Sequence, residues 1–262
     1  MRMGELVKYE IENRVATVTI DNPPMNVLSS QVTQELDGIF TELASNPAVG
    51  AVVLTGNGSR AFMAGADIKE FPQKMNATKA EKLERNASVH EVLNKIADLP
   101  KPTIASLNGL ALGGGCELSL TCDIRIAEEH VKIGLPEIKL GLFPGGGGTQ
   151  RLPRIVGPSK AKELMFVGDP ITAQQALELG LVNQVVPSGE GLAAAQALAG
   201  KIAQYSADAL SFIKQAVNKG AEKDLETGLA LERELFADVF ETDNVKEGVR
   251  AFLEKRSPVF NQ

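Results

Sequence analysis

The sequence predicts an α/β protein whose C-terminal part is entirely helical. Strand-like runs alternate with amphipathic helical patterns up to about residue 190. Beyond Gly189 strand signals fade and four helical patterns follow in succession. The chain has 262 residues, 44% of them hydrophobic, which is enough to bury a sizeable core. We expect a core over residues 1–190 that carries the functional site. A helical region over 191–262 is expected to cover that core and to mediate oligomerisation.

Residues 7–11 and 15–20 read as two strands, the second alternating Val-Ala-Thr-Val-Thr-Ile. Asn13-Arg14 is the turn between them, and Asn22-Pro23-Pro24 stops the second strand because proline lacks the N–H a ladder needs. Val32, Leu36, Ile39, Phe40 and Leu43 fall on one face of a helix that Asn46-Pro47 ends. Residues 49–54 form a short apolar strand, closed by Gly56-Asn57-Gly58. Thr78 with Glu81 predicts a capping box, opening a helix through Leu83, Val89, Val92 and Ile96. Pro100-Lys101-Pro102 ends it. Residues 103–107, 110–112 and 123–127 read as further strands.

The tail patterns are helices at 192–203, 207–219, 223–240 and 244–254. In the third, Leu225, Leu229, Glu232, Phe236 and Phe240 share one face, and Leu231, Leu235 and Val239 share another. A helix that is apolar on two sides packs on two partners, either within the chain or in a neighbouring subunit.

The bulk numbers exclude several functions. A net charge of −6 argues against a general nucleic-acid binder, which needs a basic footprint. With no Trp and two Tyr, stacking on single strands has few platforms. Cys116 and Cys122 are too few and wrongly spaced for a metal knuckle or a disulfide framework, so no metal is expected. The start of the chain lacks the apolar region of a signal peptide, and no apolar stretch approaches membrane-spanning length. The expectation is a cytoplasmic protein with no membrane partner.

Two carboxyl groups lie beside glycine-rich turns. Glu117 follows Gly113-Gly114-Gly115, in the first turn of a predicted helix. Glu137 lies in Gly134-Leu135-Pro136-Glu137-Ile138. The first N–H groups of a helix have no intrahelical partner and attract an anion. Glu117 could equally serve only to complement the helix dipole. The pair could instead move protons while an anion forms nearby. The glycine runs do not fit a dinucleotide motif or a P-loop, since Gly145-Gly146-Gly147-Gly148 is followed by Thr149-Gln150. His90, in a predicted helix, and His130, in a charged turn, read as ordinary helix-face or surface histidines. No nucleophile elbow and no zinc signature is present.

Three segments together resemble the crotonase, or enoyl-CoA hydratase, family. They are Ala61-Phe62-Met63-Ala64-Gly65-Ala66-Asp67-Ile68-Lys69-Glu70, the run from Asn108 to Glu117, and Leu135-Pro136-Glu137 followed by Pro144-Gly145-Gly146-Gly147-Gly148-Thr149-Gln150-Arg151-Leu152. Their order and separation fit, and the resemblance extends over essentially the whole chain. It implies a crotonase-like spiral of ββα units with a helical C-terminal trimerisation region, assembled as a homotrimer or a dimer of trimers. It also implies an acyl-CoA thioester substrate, with coenzyme A part of the substrate and no separate cofactor.

Carried over by position, the backbone N–H groups of Ala66 and Gly114 form an oxyanion hole. Glu117 and Glu137 match the two glutamates of hydratases, with Glu117 as the water-activating base and Glu137 as the proton donor to C2. Relatives that isomerise, dehalogenate or hydrolyse often lack one of the pair. Gly145 matches a glycine near the reacting water. Ala64, Asp67, Ile68 and Lys69 match substrate-binding positions, and Phe252 and Lys255 match positions that reach coenzyme A from a neighbouring subunit. The stretch from Asp21 to Leu28 is one residue shorter than in many relatives and lacks their basic side chains. The implied activity is reversible syn hydration of trans-2-enoyl-CoA in fatty-acid β-oxidation. The alternatives are an enoyl-CoA isomerase, a specialised 3-hydroxyacyl-CoA dehydratase, or a non-catalytic RNA-binding relative.

Overall fold

A computed structural model describes residues 2–261. The chain opens with β1 (Arg2–Met3), β2 (Val7–Glu12) and β3 (Val15–Ile20), paired antiparallel. At the expected β2–β3 turn, Asn13 and Arg14 both have positive φ, 48° and 66°. That geometry matches the twist of the flanking strands. Next comes α1 (Ser30–Ser45), capped by Ser29, whose side chain accepts from the Val32 N–H. Its buried face is the predicted one: Val32, Leu36, Ile39, Phe40 and Leu43.

Three strand pairs then build the core, each followed by helix. β4 (Ala51–Gly56) and β5 (Ala61–Ala64) lead into α2 (Phe71–Asn76) and α3 (Lys79–Ala97). β6 (Thr103–Leu107) and β7 (Leu110–Leu112) lead into α4 (Gly114–Ser119). β8 (Ile124–Glu128) and β9 (Lys132–Gly134) lead into α5 (Gly148–Val156) and α6 (Pro158–Val167). β10 (Ile171–Thr172), α7 (Ala173–Glu178) and β11 (Gln184–Val186) complete this part.

The first strand of each pair joins a large sheet, ordered β1-β2-β3-β4-β6-β8-β11, and the second joins a small one, ordered β10-β9-β7-β5. Pairing is parallel from β3 to β11, and again through β5, β7 and β9. The result is the expected spiral of ββα units. Buried Asn108 ties one turn of the spiral to the previous one. Its Nδ2 donates to Gly56 O at 2.7 Å, and its Oδ1 accepts from the Gly56 N–H at 3.3 Å.

The main core lies between the large sheet, α1, α3 and the small sheet, around Phe40, Phe62, Leu54 and Ile96. The opposite face of the large sheet is covered by α8 (Gly191–Ile202). There Ala195, Ala199 and Ala203 lie against Val53, Ile104 and Ile126. The small alanines bring that helix close to the strands. α9 (Ala207–Gly220), α10 (Leu225–Phe240) and α11 (Asp243–Leu253) follow. α10 packs on α9. Its Leu231, Leu235 and Val239 are half-buried, whereas Leu225, Leu229, Phe236 and Phe240 are exposed. Among the described residues, no helix is long and apolar enough to cross a membrane.

The strand expected at 49–54 begins two residues later. Val49 N–H donates to Asn46 O and Gly50 N–H to Arg14 O, so both belong to the turn leaving α1. The capping box at Thr78 and Glu81 forms as expected.

Candidate active site

The site is built where α4 begins. Gly113 has φ 52° and ψ −123°, a conformation that favours glycine, and its N–H donates to Gly134 O on β9. A Cβ on Gly115 would fall 1.9 Å from Met63 O, so α4 rests directly on the backbone of β5. This close approach brings the start of α4 beside Ala66. A Cβ on Gly114 would lie only 3.7 Å from the Ala66 nitrogen.

Ala66 is held by a parallel bridge to Leu28. In that bridge Leu28 N–H donates to Gly65 O and Asp67 N–H donates to Leu28 O. The peptide groups flanking Ala66 therefore face Leu28, which leaves its own N–H turned the other way. Among the described residues, neither the Ala66 nor the Gly114 N–H has an acceptor. Two fixed donors thus stand side by side and unfilled.

Both line a cleft of about 1010 Å³, together with Ala64, Ile68, Glu117, Glu137 and Gly145. Its apolar wall includes Val89, Leu140, Leu142 and Phe143. Asp67 and Lys69 lie outside this lining. Asp67 Oδ1 accepts from the Lys69 N–H at 3.0 Å and so caps the 3-10 turn of residues 68–70. Phe252 on α11 and Lys255 just beyond it are exposed and do not line the cleft of their own chain. Among the described residues, no group of three or more His, Cys, Asp or Glu side chains could hold a metal ion.

The two glutamates occupy different environments. Glu117 is 4% exposed, and its Oε1 accepts from the Gly146 N–H at 2.7 Å and the Gly148 N–H at 2.8 Å. Both donors favour the carboxylate form. Burial is the larger influence and raises its pKa, while these N–H groups, His90 and Arg151 oppose the rise. Glu137 Oε2 is buried without any hydrogen-bond partner. Burial pushes its carboxyl up to about 7; its own backbone N–H opposes that, and the Glu117 charge adds to it. An orphaned carboxyl oxygen is best kept neutral. Two backbone N–H groups thus oppose the effect of burial on Glu117, whereas nothing comparable holds Glu137, which is poised to keep a proton near neutral pH.

A stability consequence follows. Glu137 has a folded-state pKa raised from 4.5 to about 7. The folded protein therefore binds the extra proton between those values, and stability is lost as pH rises through about 7. In urea titrations at pH 5 and pH 8, Glu137→Gln should show a smaller loss on going to the higher pH than the parent. An equal loss in the two proteins would contradict a buried, protonated Glu137.

Two residues without a sequence signature of function also meet the loop of residues 144–148. His90 Nε2 is 2.7 Å from Gly145 O. Arg151 donates to Gly146 O at 3.2 Å and to Asn94 Oδ1 at 2.6 Å. His90 is thus no ordinary surface histidine. The only sequence signal for this was its spacing, i and i+4 with Asn94 on one helix face.

Two carboxyls and two backbone N–H donors lining one cleft in a spiral of ββα units define the class of protein. The chain belongs to the enoyl-CoA hydratase/isomerase family, whose model matches residues 10–262. It is 44% identical to a short-chain-enoyl-CoA hydratase of Clostridium acetobutylicum over 95% of each chain. It is 42% identical to a crotonyl-CoA hydratase of Syntrophomonas wolfei over 98% of each. The crystal structure of an enoyl-CoA hydratase from Bacillus anthracis superposes with a TM-score of 0.92 at 38% identity, covering 98% of this chain and 99% of that one.

Proposed function

We propose that this chain is an enoyl-CoA hydratase, a hydro-lyase that adds water reversibly and syn across trans-2-enoyl-CoA to give 3-hydroxyacyl-CoA in fatty-acid β-oxidation. The observation that carries this reading is the pair Glu117 and Glu137 in one cleft with the unfilled Ala66 and Gly114 N–H donors. The thioester oxygen accepts from those two N–H groups. They stabilise it as attack at C3 turns it into an enolate oxygen, and one such donor is worth ~10²–10³ in rate. Glu117, whose carboxylate form the Gly146 and Gly148 N–H groups favour, takes a proton from the attacking water. Glu137, protonated in its apolar surroundings, delivers a proton to C2. The water's oxygen ends on C3, and the two carboxyls exchange protonation states until solvent resets them.

The remaining assignments rest on the family resemblance. Ala64, Ile68 and Gly145 line the substrate path, with Asp67 shaping the turn and Lys69 at its outer edge. Phe252 and Lys255 reach coenzyme A across a subunit boundary in a homotrimer or a dimer of trimers. The helical region over residues 191–262 supplies that boundary. Coenzyme A enters as part of the substrate, no separate cofactor takes part, and the protein works in the cytoplasm.

The test is product analysis on a panel of trans-2-enoyl-CoA and 3-enoyl-CoA thioesters of increasing chain length. Formation of 3-hydroxyacyl-CoA from the trans-2 substrates is expected. Double-bond migration without hydration would replace this reading with an isomerase.

A further inference from the structure

The loop at residues 144–148 carries four consecutive glycines, yet two of its N–H groups must hold Glu117 within hydrogen-bonding distance. Glycine leaves the backbone free, so something outside the loop must fix it. Each of the two N–H groups belongs to a peptide unit whose carbonyl oxygen is also engaged. The Gly147 oxygen, in the unit that ends in the Gly148 N–H, accepts from the Gln150 and Arg151 N–H groups at the start of α5. The Gly145 oxygen, in the unit that ends in the Gly146 N–H, is met by the His90 side chain at 2.7 Å. A carbonyl oxygen only accepts, so His90 Nε2 carries the proton.

We propose that His90 is a positioning residue for the hydration reaction, acting on Glu117 through the single peptide unit between Gly145 and Gly146. The line of contacts runs from His90 Nε2–H to Gly145 O, through the planar amide to Gly146 N–H, and on to Glu117 Oε1. In a trans peptide the C=O and N–H point in opposite directions, so one unit can bridge a donor on α3 to an acceptor on α4. A donor on the carbonyl polarises the amide and strengthens its N–H bond to the carboxylate. Arg151, tied to Asn94 one turn along α3, braces the next carbonyl of the same loop. The inference rests on the hydratase reading for its kinetic consequence, but the contact chain itself does not depend on it.

The groups around Glu117 bear on the pH readout. Glu137 shares the cleft, while His90 comes from α3 and Arg151 from α5. Cys116 is adjacent on α4, and burial keeps its thiol neutral. Of these, His90 and Arg151 favour the ionised carboxylate. Removing His90 therefore raises the pKa of Glu117.

His90→Phe keeps a ring without a donor, and His90→Gln supplies an N–H at similar reach. For the phenylalanine variant, kcat on crotonyl-CoA is expected to fall about 10- to 100-fold. KM should stay within about twofold, because binding groups are untouched. The acid limb of its kcat–pH profile should move to higher pH. The glutamine variant should recover most of the lost kcat. With glycine labelled by nitrogen-15, the Gly146 amide proton should move upfield in the phenylalanine variant and return in the glutamine one. A phenylalanine variant with parental kcat, a glutamine variant as slow as it, or an unmoved Gly146 resonance overturns the proposal. If the parent itself fails to hydrate crotonyl-CoA, the hydratase reading falls, and the Gly146 resonance still decides the relay.

Discussion

Glu117→Gln is expected to lower kcat for crotonyl-CoA hydration by about 10²–10⁴ while KM changes little. The substitution is close to isosteric. The amide oxygen can still accept from the Gly146 and Gly148 N–H groups, so the loop keeps its two anchors. What disappears is the basic lone pair that takes a proton from water. Stability should change in the opposite sense. Burial raises the Glu117 pKa, so the folded protein carries a cost for its charge once pH exceeds that pKa. The variant has no such charge, so at pH 8 it should melt at the parental temperature or above. Steady-state kinetics and a thermal melt on the same sample check both halves. A variant that is slow because it is misfolded would melt early. A variant that keeps parental turnover would remove Glu117 from the chemistry.

The legible parts of the fold were those where one residue pattern decides one element. The α1 face from Val32 to Leu43 follows a single helical period, and the capping box at Thr78 and Glu81 is local. The strands at Thr103–Leu107 and Leu110–Leu112 match their predicted bounds because Pro102, Asn108-Gly109 and Gly113 bracket them. The strands of the small sheet that the pattern did not reveal are too short for a period-2 signal. Lys132–Gly134 and Ile171–Thr172 exist only because β7 and then β9 offer an edge to pair with. Ala61–Ala64 was visible as part of a motif and not as a strand.

The same division holds for the site. Glu117 and Glu137 could be singled out because glycine turns flank them, and Ala66 and Gly114 only through the resemblance to a known family. His90 could not, since its partner is a backbone carbonyl of residue 145 and carries no side-chain signature. The burial of Glu137 was equally hidden, because it arises from walls contributed by several separate elements.

Gly115→Ala should be the most damaging single-methyl change in the chain. Its Cβ would lie 1.9 Å from Met63 O, 2.7 Å from Met63 C and 2.8 Å from Met63 Cβ. Met63 is fully buried, and two of the three atoms are backbone of β5, so no flexible side-chain end can swing aside. α4 and β5 must separate by more than an ångström to restore van der Waals contact. Overpacking of this kind costs about 3 kcal/mol or more when the neighbour is rigid. The functional loss should exceed what stability alone explains. Moving α4 carries the Gly114 N–H away from the Ala66 N–H and draws Glu117 off the Gly146 and Gly148 donors. An oxyanion hole with one misplaced donor loses about 10²–10³ in kcat. Gly200→Ala is the matched control. It lies within α8, and a Cβ there meets nothing within 4 Å. Alanine at such a position should add about 0.5–1 kcal/mol, since glycine is the poorer helix former. Urea unfolding and crotonyl-CoA turnover of the two variants separate the effect of the Met63 contact from that of an added methyl group. Equal behaviour of the pair would mean that α4 does not rest on β5 as closely as the geometry requires.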